Sequence, residues 1–313
     1  MADITAGSVN ELRKKTGAGM MDCKKALTET EGDIEKAVDF LRKKGLAAAA
    51  KKAGRIAAEG LVTALVANGG KTAVVAEVNS ETDFVAKTDD FMGFVSDVAL
   101  HVIAENPADL DTLHGQGFTK NKATPVKDVV TALIAKIGEN IQIRRFSRFD
   151  VQGHGAVGAY IHAGGQIGVI VEIGCEKAEN AAKPELAALA KDICLHVAAN
   201  KPLYLASSEV SKDVLDREVE IAKDQARLAG KKEEFIGKIA EGKVAKYYEE
   251  FCLLEQGFVK DPSVKIKKVV EDASKTFGDK LSVRRFARFE LGEGIEKKTQ
   301  DFAAEVAATM GGA

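Results

Sequence analysis

Gly60–Val78 reads GLVTALVANGGKTAVVAEV, and Gly155–Ile173 reads GAVGAYIHAGGQIGVIVEI. Set one on the other, position 60 on 155, each shows an apolar run, a glycine-rich break and a second apolar run. Asn68-Gly69-Gly70 and Ala163-Gly164-Gly165 supply residues that tolerate positive φ, so each copy predicts a β-hairpin. A helix follows each hairpin. Phe91, Phe94, Val95, Val98 and Val102 share one face in the first copy, and Leu186, Leu189, Ala190, Ile193 and Val197 share it in the second. His101 and His196 are equivalent in the two helices. Each copy then closes with a third strand, NIQIRRFSRF at 140–149 and KLSVRRFARF at 280–289. The fold class is therefore α+β, with a duplicated core of antiparallel three-stranded sheets and helices.

The hairpins are offset by 95 residues and the closing strands by 140, so the second copy carries an insertion of 45 (140 − 95). It is placed at about 209–256. Leu215, Val219, Ala222, Ala226 and Ala229 form one helical stripe, and Ile236, Ala240, Val244, Tyr247 and Phe251 form another. Gly230 lies between them. Two antiparallel helices with alanines at their contact satisfy this pattern.

Before the repeats, residues 1–45 predict three short helices. Ser8 is expected to cap the first, with Val9 and Leu12 inside it. Met20, Cys23, Ala26 and Leu27 mark the second, and Ile34, Ala37, Val38 and Leu41 the third, with Gly45 as its end. Residues 46–58 predict a partly helical linker. The core subdomains are then 59–150 and 151–290. Residues 291–313 predict a C-terminal module, with Phe302, Val306 and Met310 expected on one side of a short helix.

Composition limits function. Of 313 residues, 45% are hydrophobic and 29% charged, with a net charge of −2, which argues against disorder and against a strongly basic nucleic-acid binder. No apolar run is long enough to span a bilayer, and the N-terminus lacks a signal-type apolar stretch, so a cytoplasmic location without membrane contact is expected. The four cysteines are far apart and none pairs with histidine at zinc-ligand spacing; no metal or cofactor is predicted. No phosphate-binding loop or nucleophile motif occurs, so the chain is not expected to be an enzyme. Arg144, Arg145, Arg148, Arg284, Arg285 and Arg288 could serve an RNA-binding sheet. Strict alternation would split them, with Arg144, Phe146 and Arg148 on one face and Ile143, Arg145, Ser147 and Phe149 on the other, which favours scaffold salt bridges.

One segment lacks its counterpart. Thr82-Asp83-Phe84 follows the first hairpin, whereas Lys177-Ala178-Glu179 follows the second. A residue that only builds the scaffold is expected in both copies. Two readings stand: Thr82 or Asp83 caps the following helix with Phe84 packed beneath the hairpin, or Phe84 is a binding tip.

LRKKTGAGMMDCKKAL at 12–27, GDIEKAVDFLRKKG at 32–45, ETDFVAK at 81–87, KIGENIQIRR at 136–145 and GEGIEKKTQDFAAEVAA at 292–308 resemble elongation factor Ts of bacteria, in order along the chain. The resemblance implies an N-terminal ubiquitin-associated-like module, a two-subdomain core, a helical protrusion and a C-terminal module. It implies guanine nucleotide exchange on elongation factor Tu as the activity. Thr82, Asp83, Phe84 and Val85 match the motif that dislocates Mg²⁺ from that partner, with Asp83 and Phe84 central. His162 is similar to a histidine used near the same pocket. Val9, Leu12, Met20 and Phe302 are the further expected partner contacts, and the helical hairpin is an expected surface for self-association.

Overall fold

A computed structural model of the protein describes residues 4–296. Three helices open it: α1 (Ala6–Thr16), α2 (Met20–Glu29) and α3 (Ile34–Lys52). Val9, Leu12, Cys23, Ala26, Leu27 and Ala37 form their shared core. The cap of α1 differs from expectation. Thr5 is the N-cap, and its Oγ1 accepts the Ser8 N–H at 3.2 Å. Ser8 therefore lies inside the first turn and donates its own hydroxyl to the Thr5 carbonyl at 2.9 Å.

The first repeat runs β1 (Glu59–Ala67), β2 (Thr72–Ser80), α4 (Asp83–Ala86), α5 (Asp89–Glu105), α6 (Leu110–Gly115), β3 (Gly117–Phe118), β4 (Asn121–Pro125), α7 (Val126–Ile137) and β5 (Gln142–Asp150). The second runs β6 (Gly155–His162), β7 (Ile167–Gly174), α8 (Ala178–Ala181), α9 (Pro184–Asn200), α10 (Lys212–Leu228), α11 (Glu233–Phe251), β8 (Gly257–Phe258), β9 (Asp261–Lys265), α12 (Ile266–Phe277) and β10 (Ser282–Glu290). Each repeat holds an antiparallel three-stranded sheet, in the orders β1-β2-β5 and β10-β7-β6. The predicted turns form as expected, with Asn68, Gly69, Gly70, Ala163, Gly164 and Gly165 all at positive φ. The inserted hairpin, α10 with α11, lies within 209–256 and buries Ala222, Ala226, Ile236 and Ala240.

Gly45 does not end the third helix. It is buried within α3, where a Cβ would stand 3.5 Å from the Thr131 methyl and 3.7 Å from the Ala135 Cβ of α7. A Cβ there would be in ordinary van der Waals contact, so the seam with α7 has room for one; Arg42 pairs with Asp128 across the same seam at 2.6 Å. The helix stop expected at Gly45 does not occur, and α3 runs on to Lys52. The expected C-terminal helix, with Phe302, lies outside the described residues.

The two sheets stack on each other. β2 is buried along its whole length. Val74, Ala76 and Val78 meet α5, while Ala73 and Val75 join Val62, Ala64, Phe149, Val157 and Ile170 between the sheets. A strand covered on both sides reads as a continuous apolar run, as β2 and β7 do. The contacts between the repeats are reciprocal. The Val62 N–H donates to the Gly165 carbonyl at 2.8 Å, and the equivalent Val157 N–H donates to that of Gly70 at 3.1 Å. Arg145 lies 4.3 Å over the Phe289 ring, and Arg285 4.2 Å over that of Phe149.

The arginines depart from simple alternation. A β-bulge between Ile143 and Arg145 turns Arg144 and Arg145 onto the same carboxylate, Glu77, at 2.9 and 2.6 Å. Beyond the bulge Phe146 packs with Ile143, and Phe149 turns to the opposite side, between the sheets. Arg284 and Arg285 repeat the arrangement on Glu172 at 3.0 and 2.7 Å. Burial alone would push the Glu77 carboxyl up. The Gly292 N–H and the two guanidinium groups outweigh that and hold it below its ordinary value. Glu172 follows the same balance, with Gln152 supplying the backbone N–H. The arginine-rich strands thus hold the scaffold together, as the salt-bridge reading expects. His101 and His196 are scaffold groups too, bonded to Gln116 at 3.0 Å and Gln256 at 2.9 Å.

Candidate functional site

The site is built where β2 ends. Ser80 is buried and donates its hydroxyl to the Thr82 carbonyl at 2.9 Å. Thr82 stays extended (φ −126°, ψ 156°) and its Oγ1 accepts the Val85 N–H at 3.4 Å, capping the single turn α4. Val85 and Ala86 point inward to the core beneath α5. Asp83 and Phe84 must then point outward. Phe84 is 79% exposed, with the Lys87 ammonium 5.9 Å from its ring centroid. Lys87 also bonds Asp83 at 2.6 Å and holds that carboxyl below its ordinary range. Thr88 caps α5 by accepting the Phe91 N–H.

This geometry bears on the capping reading of the segment. The capping half of the first holds for Thr82. Phe84, however, does not pack beneath the hairpin, so the aromatic is free to meet another molecule. Val85 is an anchor rather than a contact surface.

His162 stands at the end of β6, exposed, with the Tyr160 hydroxyl 3.1 Å from its Nδ1. Its carbonyl closes the turn by accepting the Gly165 and Gln166 N–H groups. The Gly165 carbonyl in turn meets Val62, which pairs with Glu77, three residues before β2 ends. The turn bearing His162 and the turn bearing Phe84 therefore lie at the same end of the first sheet. The N-terminal candidates separate. Leu12 is fully buried and Val9 is 8% exposed, so both build the module's core, which corrects their expected place as partner contacts. Met20 is exposed.

Sequence reasoning did not single out the residues that hold the turn. Glu139 grips Thr82 with both oxygens: Oε2 accepts the backbone N–H at 3.0 Å and Oε1 the hydroxyl at 2.7 Å. Glu81 reaches the other way and accepts the Asn140 N–H at 2.6 Å. One available signal was the acid 140 positions on, Asp279, which accepts the Lys177 N–H at 3.0 Å. Among the described residues no group of three His, Cys, Asp or Glu side chains could hold a metal ion, and no helix is long and apolar enough to cross a membrane.

The fold and the turn define an α+β protein of two stacked, duplicated sheets that carries an exposed aromatic, Phe84, on a turn anchored to the first of them. The family model described as Elongation factor TS matches residues 81–293. An Elongation factor Ts of Trichlorobacter lovleyi is 53% identical over 308 residues, 98% of this chain and 99% of that one. That of Syntrophotalea carbinolica is 51% identical over 305 residues (97% and 98%), and that of Clostridium novyi 50% over 307 (98% and 99%). The chain belongs to the elongation factor Ts family.

Proposed function

We propose that this chain is the guanine nucleotide exchange factor of elongation factor Tu and that Phe84 is its wedge. It binds the GDP form of the partner, dislocates Mg²⁺ and speeds GDP release during translation elongation. It is not an enzyme, since it changes a partner's affinity and transforms no substrate of its own. The observation that carries the wedge is the 79% exposure of Phe84 on a turn whose neighbours Val85 and Ala86 are anchored in the core. Phe84 enters an apolar pocket of the partner and Asp83 accompanies it. Separating the groups that hold Mg²⁺ removes the main positive charge facing the β-phosphate, and GDP leaves faster. By linkage, nucleotide weakens binding of this chain by the factor by which this chain weakens binding of nucleotide.

Phe84 does not suffice. Burying a phenylalanine yields about 1.5–3 kcal/mol, whereas moving a partner from mostly closed to mostly open takes about 5.5 kcal/mol of differential binding. A broad contact supplies the rest. Met20 on the N-terminal module, His162 on the second hairpin and Phe302 in the C-terminal module are its proposed contributors. A factor that acts on elongation factor Tu during translation has its task in the cytoplasm, which is the location proposed for this chain. The test is GDP release from elongation factor Tu with native protein and with Phe84→Ala; equal rates would refute the wedge.

Self-association through α10 and α11 is a second reading, favoured by Leu228 at 89% exposure and Phe235 at 53%, which flank the turn of that hairpin. Sedimentation of native protein and Leu228→Asp tests it; a native protein that stays monomeric at high concentration refutes it.

A further inference from the structure

We infer that Glu139 and Glu81 form a crossed pair of clamps that positions Phe84 for exchange, an inference that rests on the wedge reading above. Thr82 carries the last fixed backbone before the wedge, and its extended conformation sets the direction in which α4 starts. Glu139 fixes that conformation from both sides, through the N–H and the hydroxyl. Glu81, one residue before Thr82, returns the grip by holding the Asn140 N–H, one residue after Glu139. Each carboxylate therefore holds the backbone beside the other, and neither segment shifts without stretching both contacts. Asn140 is buried and its amide donates to the Arg55 carbonyl at 2.8 Å, while the Arg55 guanidinium lies 3.4 Å from Glu81. The segment leading out of α3 is thereby tied into the same knot.

The second repeat supplies the comparison. There Asp279 accepts the Glu176 and Lys177 N–H groups at 3.2 and 3.0 Å, and the Asn180 amide at 2.7 Å. Asn180 takes the place of Val85. The return contact differs: Lys280, in the place of Asn140, gives its N–H to Asp279 itself at 2.7 Å. Holding the turn is thus a property of the scaffold, present twice. The crossed form occurs in the repeat that carries the aromatic. A rigid mount matters because an aromatic displaced by an ångström enters its pocket poorly, and misplacement of that size costs rates of order a hundredfold. Glu139 and Glu81 are positioning residues; nothing here requires them to touch the partner.

The experiment compares the full chain with Glu139→Ala, Glu139→Gln, Asp279→Ala and Phe84→Ala. Four quantities are read: the maximal rate of GDP release from elongation factor Tu, the half-saturating concentration, the melting temperature and amide hydrogen exchange at Thr82 and Val85. Glu139→Ala is expected to lower the maximal rate about tenfold or more, leave the half-saturating concentration near native, and speed amide exchange at both positions. Glu139→Gln keeps a carbonyl for the Thr82 N–H and an amide donor for its hydroxyl, and is expected to restore most of the rate. Asp279→Ala lowers the melting temperature by an amount similar to Glu139→Ala and keeps the native rate. A native maximal rate for Glu139→Ala, beside a slow Phe84→Ala, overturns the clamp alone. So does loss of rate in Asp279→Ala equal to that in Glu139→Ala, which marks both acids as merely structural. A native rate for Phe84→Ala overturns the wedge reading and this inference with it.

Discussion

Replacing Phe84 by alanine separates stability from exchange. With 79% of its surface in water, the ring contributes little to the fold. A surface truncation of this kind changes stability by about 0.5 kcal/mol or less, against roughly 3–5 kcal/mol for a phenylalanine removed from a core. In a protein of this size that is a shift of melting temperature of at most about 2 °C. Exchange behaves differently. A central interface aromatic loses at least about 2 kcal/mol on truncation, and a loss on the opened state alone slows release about thirtyfold. The assay pairs a thermal melt with release of a fluorescent GDP analogue from elongation factor Tu, on one preparation. Normal melting with normal exchange refutes the wedge. A drop in melting temperature of ten degrees would show that Phe84 packs in the core in solution.

Raising Mg²⁺ slows exchange by the native chain, because displacement of the ion is the opposed step; release rates that ignore Mg²⁺ contradict it. Glu77→Ala leaves Arg144 and Arg145 facing each other without their carboxylate and costs about 3–5 kcal/mol, measured by urea unfolding; a loss below about 1 kcal/mol would show the cluster to be dispensable. Stability falls in two stages as pH drops. Burial holds His101, His114 and His196 below their ordinary 6.5, so the unfolded chain takes up protons first and stability declines below about pH 6.5. Glu77 and Glu172 are held below 4.5, so their share is intact above that pH and is lost as pH falls through their lower folded values. Unfolding free energies that stay flat from pH 6.5 to 5 contradict the first stage. Replacing 213–252 by a short Gly/Ser linker leaves a cooperatively melting core, because Leu253 and Leu254 still donate their backbone N–H groups to the Tyr204 and Leu205 carbonyls at the base of the hairpin, outside the deleted span; loss of cooperativity would make the hairpin part of that core.

The repeat was legible because hairpin turns and helix faces leave periodic marks. The offset of the closing strands likewise located the inserted hairpin, and the missing counterpart of Phe84 drew attention to the candidate site. Other features leave weaker marks. A single bulge beside Arg144 reverses the face of every later residue of β5, and no propensity announces it. Gly45 carries the same letter whether it ends a helix or lies buried inside one, and only the helix packed over it, with Thr131 and Ala135, shows which. Strands of two and five residues, β3 and β4, are too short for periodicity. Val9 and Leu12 satisfy both a core and a contact pattern, and burial assigns them to the core. Glu139 went unremarked because a carboxylate after a helix-ending glycine reads as solvated surface until Thr82 is brought beside it by the fold.

The most direct measurement is GDP release from elongation factor Tu with and without a substoichiometric amount of this chain. Release that accelerates well beyond one equivalent of bound protein, by at least an order of magnitude in rate, is the predicted result. Release at the spontaneous rate, with the chain folded and present, would contradict the account.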